Sequence, residues 1–142
     1  MSWGAEDLSA TLGATSKYDS SGELAFTYQL ARSLCLAGAV AAGVQPVDGV
    51  FADYNDEAGL RAEAEAARRD GFTGKLAIHP AQVAIINAAF TPSAEDVRHA
   101  AEIVAAFEAQ PDAGVLSVGG KMVDRPHLVQ ARRVLERSRQ EA

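Results

Sequence analysis

Four short stretches place carboxylates or an imidazole where the chain changes direction: WGAEDL, VDGVFADYND, GKLAIHPAQV and GGKMVDRP. In WGAEDL, Glu6 and Asp7 follow an extended triplet. A carboxylate there suits Mg²⁺, a hard cation that takes one or two protein carboxylates and leaves its other positions to water and substrate oxygens. The same pair also reads as a helix cap or a solvated acidic pair. VDGVFADYND carries Asp48, Asp53 and Asp56 around a strand. Asp48 falls near its start, where a structural role is expected, and Asp53 falls at the end where parallel β/α folds put working groups. In GKLAIHPAQV, His79 ends a strand and precedes a helix opened by Pro80. Free N–H groups at such a helix start suit a phosphate or carboxylate, and the imidazole suits acid–base work. A histidine held by backbone hydrogen bonds to shape the turn is the competing reading. In GGKMVDRP, Asp124 stands between a strand and a Pro-initiated helix, where an N-cap role explains it without chemistry.

Other chemistry is excluded or unsupported. The histidines, His79, His99 and His127, lack metal-ligand spacing, so a zinc site is not expected. His99 and His127 read as surface residues of helices. Cys35 is the chain's one cysteine; it rules out an intramolecular disulfide and reads as a buried structural thiol in LARSLCLAGAV. No G-x-S-x-G, P-loop or G-x-G-x-x-G motif occurs, and Gly119-Gly120 is too isolated to signal phosphate binding. A net charge of −6 with no Lys/Arg run argues against a nucleic-acid partner. No apolar run is long enough for a membrane span, and no signal peptide is evident, so a cytoplasmic location is the default. With 48% hydrophobic and 23% charged residues the chain should bury a core.

The elements that must position these groups follow from periodicity. Ser20–Gly43 predicts a helix, with Leu24, Tyr28, Ala31 and Ala39 at helical spacing. Val47, Val50 and Phe51 predict a strand. Asp56 caps a helix over Glu57–Asp70 that Gly71 closes. Lys75–Ile78 predicts a strand and Pro80–Phe90 a helix. With Met1–Trp3 as the first strand the order is β-α-β-α-β-α. The second and third strands start 28 residues apart, at Val47 and Lys75, the repeat of a parallel βα unit. Three parallel strands neither close a barrel nor bury both faces, and a whole (β/α)8 barrel takes roughly 250 residues. Residues 1–90 are therefore expected to be the last three βα units of one. Residues 91–142 differ in texture. A capping box at Ser93 and Asp96 opens a helix running to about Gln110, a hairpin turns at Gly119-Gly120, and a helix starts at Pro126. This forms a C-terminal helix-hairpin-helix extension or lid segment. A stand-alone flavodoxin-like binding module is the weaker alternative, for which three strands are few.

WGAEDLSATLG, VDGVFADYNDEAGLRAEAEAARRDGFTGKLAIHPAQV and GGKMVDRP, in this order and spacing, resemble the citrate lyase beta-subunit-like proteins. These belong to the HpcH/HpaI aldolase group, with malyl-CoA and citramalyl-CoA lyases. The resemblance covers essentially the whole chain. It implies an α/β fold, the C-terminal part of a TIM barrel with Met1–Trp3, Val47–Ala52 and Lys75–Ile78 as strands six to eight. Strands one to five would lie upstream. It also implies a Mg²⁺-dependent carbon–carbon lyase that cleaves a 3-hydroxyacyl thioester, carried on CoA or an acyl-carrier protein, into a 2-oxo acid and an acyl thioester. By this resemblance Asp7 is a metal ligand, and the second ligand, a Glu, and a substrate-gripping Arg lie outside this chain. Asp124 exchanges a proton with the thioester α-carbon in a neighbouring subunit's site. His79 lines the cofactor-binding rim near the thioester carrier. A homo-oligomer, a trimer by resemblance, is expected, and the 142 residues alone are expected to be inactive. The alternative is a non-catalytic half-barrel that folds only with its missing half or by self-association.

Overall fold

The structure is a computed structural model that describes residues 1–140. Its elements are α1 (Ala5–Leu12), α2 (Phe26–Ala41), β1 (Val47–Asp48), α3 (Glu57–Asp70), β2 (Gly74–Lys75) and α4 (Pro80–Phe90). α5 (Ala94–Ala109), β3 (Val115–Val118), β4 (Lys121–Asp124) and α6 (Arg125–Gln140) follow. Packing divides the chain into two compact units, Met1–Phe90 and a second beginning at Thr91.

In the first unit, local signals set the helix ends. Asp56 caps α3 by accepting the Gly59 N–H at 2.9 Å. Arg68 and Arg69 sit in its last turn, where cations complement the helix dipole. Gly71 closes α3 with φ 114°, a conformation that favours glycine. Leu60, Ala64 and Ala67 line its buried face and pack with Phe72, Ile85, Ile86, Ala89 and Phe90 into one core. β1 and β2 pair in parallel, Val47 with Gly74 and Asp48 with Lys75. Thr73 N–H to Pro46 O at 2.9 Å and Leu76 N–H to Asp48 O at 3.1 Å extend the pairing.

Several expectations are corrected. Met1–Trp3 lies along β1, with Val47 N–H donating to Met1 O at 2.8 Å, but forms no strand. β1 and β2 are two residues each, shorter than predicted, because the chain leaves the ladder at Gly49 and Leu76. α1 was not among the predicted elements; Glu6 and Asp7 fall in its first turn. α2 starts at Phe26 and not Ser20, since the Asp19 carboxylate accepts the Ser21 and Glu23 amides and folds residues 18–24 into a turn. Cys35 is half-buried and not enclosed.

In the second unit α5 opens with a full capping box. Ser93 Oγ accepts the Asp96 N–H at 3.1 Å, and the Asp96 carboxylate accepts the Ser93 N–H at 3.0 Å. β3 and β4 form an antiparallel hairpin whose turn residues, Gly119 and Gly120, have φ of 57° and 77°, as a type I′ turn requires. Ala100, Ile103, Phe107, Val118, Val123, Leu128 and Ala131 form a separate core. Ser93→Ala should cost about 1 kcal/mol through loss of the cap. Urea unfolding followed by helical circular dichroism measures it, with unchanged stability as the contrary result.

Candidate functional site

The acidic pair of the first unit is built on a glycine. Gly4 is the N-cap of α1, in extended conformation, and Glu6 and Asp7 occupy the first helical turn. Glu6 is engaged by Lys17. Asp7 makes no ion pair among the described residues and is exposed. Its carboxylate folds back over the N-cap, so a Cβ at position 4 would stand 2.6 Å from Asp7 Oδ2. Glycine leaves that oxygen its place. Asp7, Glu6, Trp3, Lys17, Asp48, Glu63 and Leu76 are among the residues bounding a cavity of about 450 Å³. Asp7 and Trp3 thus stand beside the ends of β1 and β2, as a shared strand end requires.

Behind that cavity lies an ionic network that the sequence did not reveal. Asp48 is 1% exposed and forms its hub. Its Oδ1 accepts Trp3 Nε1–H at 2.9 Å and Arg32 Nε–H at 2.9 Å. Its Oδ2 accepts Arg32 Nη2–H at 3.2 Å and Lys75 Nζ–H at 3.3 Å. Lys75 also donates to Gly49 O at 2.8 Å and Glu63 Oε1 at 2.5 Å. Arg32 reaches Asp70 at 2.6 Å and lies over the Phe72 ring at 4.6 Å. Burial alone would push the Asp48 carboxyl up. The Arg32 hydrogen bonds, the Lys75 charge and the Trp3 N–H outweigh it and hold Asp48 below the usual carboxylate range. The network ties the Met1–Trp3 segment to β1, β2, α2 and α3. Asp48 was expected near the start of its strand; it is the last residue of β1, and its carboxylate is enclosed by these partners. A lysine inside a short strand was the one available signal for its partner.

The other candidates are locally engaged. The Asp53 carboxylate accepts the Asn55 N–H at 3.0 Å and bounds neither cavity described here. Asp56, the cap of α3, borders a second and larger cavity of about 1030 Å³ together with Arg32, Phe51 and Asp70. His79 is exposed, stacks on Tyr54 with ring centroids 4.9 Å apart, and accepts the Ala81 N–H on Nδ1 at 3.2 Å. Its backbone role at the start of α4 is therefore visible. Gln82, 1% exposed, braces the same turn by accepting Ile78 N–H and donating to Phe51 O, both at 2.9 Å.

In the second unit Asp124 ends β4 and His127 stands in the first turn of α6. His127 Nδ1 lies 2.5 Å from Asp124 Oδ1. The backbone capping bond, His127 N–H to Asp124 Oδ1, is 3.4 Å. The His127 hydrogen bond holds the Asp124 carboxyl below its usual range. Among the described residues no group of three or more His, Cys, Asp or Glu side chains is gathered around a common point to cage a metal ion.

Parallel βα units with a carboxylate at a strand end define part of a barrel whose working groups sit at one rim. Residues 5–140 match the family described as C-C bond lyase of the TIM-barrel fold, and the chain belongs to that family. It is 41% identical over 140 residues to a (3S)-malyl-CoA thioesterase of Cereibacter sphaeroides, covering 97% of this chain and 47% of that protein. It is 39% identical to the mitochondrial citramalyl-CoA lyase of Rattus norvegicus, covering 94% of this chain and 38% of that one. A crystal structure of protein CitE from Mycobacterium tuberculosis, in complex with magnesium, acetoacetate and coenzyme A, superposes with a TM-score of 0.84 at 37% identity. The match covers 97% of this chain and 51% of that one. The chain therefore spans about half the length of such relatives or less, and its fold is a partial TIM barrel with no closed cylinder among the described residues. No helix among these residues is long and apolar enough to cross a membrane.

Proposed function

We propose that this chain supplies part of the site of a Mg²⁺-dependent carbon–carbon lyase acting on a 3-hydroxyacyl thioester of the citramalyl-CoA, malyl-CoA or citryl type. The observation that carries this is Asp7: an exposed carboxylate without an ion pair, beside a cavity at a strand end, in a chain of the C-C bond lyase family. The donor chemistry fits a hard cation. Asp7 would hold Mg²⁺, with water, substrate oxygens and residues outside this chain completing the shell. When bound, the ion would stabilise negative charge on the oxygen of the carbon being cleaved. Asp124 would exchange a proton with the α-carbon of the departing acyl thioester, acting in a neighbouring subunit of a homo-oligomer. His79 would line the rim near the thioester carrier, its ring held flat by Tyr54. Residues 91–142 would serve as the extension that presents Asp124. The products are a 2-oxo acid and an acyl thioester.

A second reading is favoured by the malyl-CoA thioesterase relatives: hydrolysis of the thioester, giving a free hydroxy acid and thiol. The test incubates citramalyl-CoA, (3S)-malyl-CoA and citryl-CoA with Mg²⁺, using both these 142 residues and the protein as its native source makes it. The 2-oxo acid and free thiol are assayed separately. The native protein should release 2-oxo acid only with Mg²⁺, and the 142 residues alone should release none. Thiol without 2-oxo acid would favour hydrolysis. In the same assay Asp7→Asn should lower the apparent Mg²⁺ affinity at least about tenfold, in line with loss of a charged ligand. Mn²⁺ binding followed by electron paramagnetic resonance gives the same comparison without turnover. Undiminished affinity would remove Asp7 from the metal site.

A further inference from the structure

The sequence accounts for Asp124 as a helix cap, yet the distances do not favour that use. Its cap bond to the His127 amide is 3.4 Å, at the weak end for an N–H to oxygen bond, whereas its contact with His127 Nδ1 is 2.5 Å. The Asp124 N–H also approaches Nδ1, at 3.3 Å. A bare Nδ1 has one lone pair, so the much shorter contact decides where the proton lies: on the line between Nδ1 and Oδ1. Oδ2 takes no part in these contacts.

We infer that His127 positions Asp124: its Nδ1–H is donated to Asp124 Oδ1, which leaves Oδ2 as the oxygen that takes a proton from the thioester α-carbon or gives one to it. The inference rests on the role proposed above for Asp124. In the condensing direction the C–H bond breaks, its electron pair stays on the enolate, and the proton moves to Asp124 Oδ2. Oδ2 then releases that proton to water, to which the Asp124 side chain, 34% exposed, has access. Cleavage runs the same transfers backwards, and solvent reprotonates Oδ2. His127 acts through Asp124 and is a positioning residue.

The surroundings leave the pair to itself. β3, which pairs with β4, offers Val115, Leu116, Ser117 and Val118 and no titratable group. The buried face of α5 is apolar. Arg125, the neighbouring cation, donates to Pro111 O at 2.5 Å and lies over the Phe107 ring. The depressed carboxyl of Asp124, caused first by the His127 hydrogen bond, agrees with a paired carboxylate. His99, on α5 and 3.8 Å from Glu102, serves as an internal reference.

The test is a nuclear magnetic resonance titration of the 142-residue chain. Long-range proton–nitrogen correlations follow the imidazoles, and carboxyl carbon shifts follow Asp124. Neutral His127 should carry its proton on Nδ1. In His127→Gln the Asp124 midpoint should rise. An Asp124 midpoint unmoved in His127→Gln, or a bare Nδ1 in the neutral wild type, overturns the inference. Should His127→Gln fail to fold, the tautomer of the wild type decides it alone. Full turnover by Asp124→Asn in the native protein would instead overturn the catalytic role of Asp124 and leave the pair standing.

Discussion

Replacing Asp48 with alanine is expected to destabilise the first unit by about 3–5 kcal/mol, the cost of breaking a buried ion pair from one side. The reason is what the substitution leaves behind. Lys75 Nζ is enclosed, with a side chain 0% exposed, and Glu63, its other carboxylate, is half in solvent at 46%. Arg32 keeps Asp70, but its Nε and Nη2 lose their acceptor. The Trp3 N–H loses its partner as well. The pair's attraction is not the quantity lost; the cost is the desolvation of cations without a counter-charge. At the low end of the usual total stability, about 5 kcal/mol, such a loss brings the unit near its unfolding midpoint. Trp3, the chain's one tryptophan, reports the transition by fluorescence in urea. A change below about 1 kcal/mol would mean that water reaches Lys75 and the network contributes little.

The same hub predicts an acid limb. Because the folded Asp48 carboxyl lies below its unfolded value of about 3.9, its contribution is fully present above that pH. It is lost as pH falls through the lowered folded value, where the carboxylate takes up a proton. Stability of the wild type should therefore drop more steeply below about pH 4 than that of Asp48→Asn. Denaturant midpoints measured at stepped pH give the comparison, and parallel slopes would contradict it.

What the sequence made legible was local. Asp56 and Gly71 bounded α3, Pro80 opened α4, Ser93 with Asp96 opened α5, and Gly119-Gly120 placed the hairpin. Each signal acts within a few residues of itself. The start of α2 was misplaced because Leu24 fits the helical period, while the Asp19 turn chemistry next to it overrides that period. α1 was hidden behind a glycine that reads as a break but serves as an N-cap. The ionic network was illegible for a different reason. Its bonds join Asp48 to Trp3, Lys75 and Arg32 across 45, 27 and 16 positions, and no periodicity links those residues. Asp7, His79 and Asp124 were picked out by their places at strand and helix ends, and their proposed roles came from resemblance. The Asp124–His127 contact lay within reach of sequence reasoning, since the i,i+3 spacing was on view, but a capping role had already explained Asp124.

Phe72→Ala should lower the stability of the first unit by about 3–5 kcal/mol, and its effect should reach beyond the core. Phe72 is 1% exposed and packs with Leu60, Ala64, Ala67 and the buried face of α4. Removing its ring deletes burial and leaves a cavity that α3 and α4, joined through β2, close only in part. The ring also carries the Arg32 guanidinium 4.6 Å from its centre. A cation over an aromatic face is attracted by the ring quadrupole, and Arg32 is the group that holds both oxygens of Asp48. Phe72→Leu separates the two effects. It keeps most of the volume and removes the aromatic face, so it should cost less, about 1–2 kcal/mol. It should still shift the Trp3 emission of the folded protein, because Trp3 shares its acceptor oxygen with Arg32. If Phe72→Leu leaves Trp3 emission unchanged while Phe72→Ala unfolds the unit, the ring serves the core alone, and the link from core to strand end runs through Lys75 and β2.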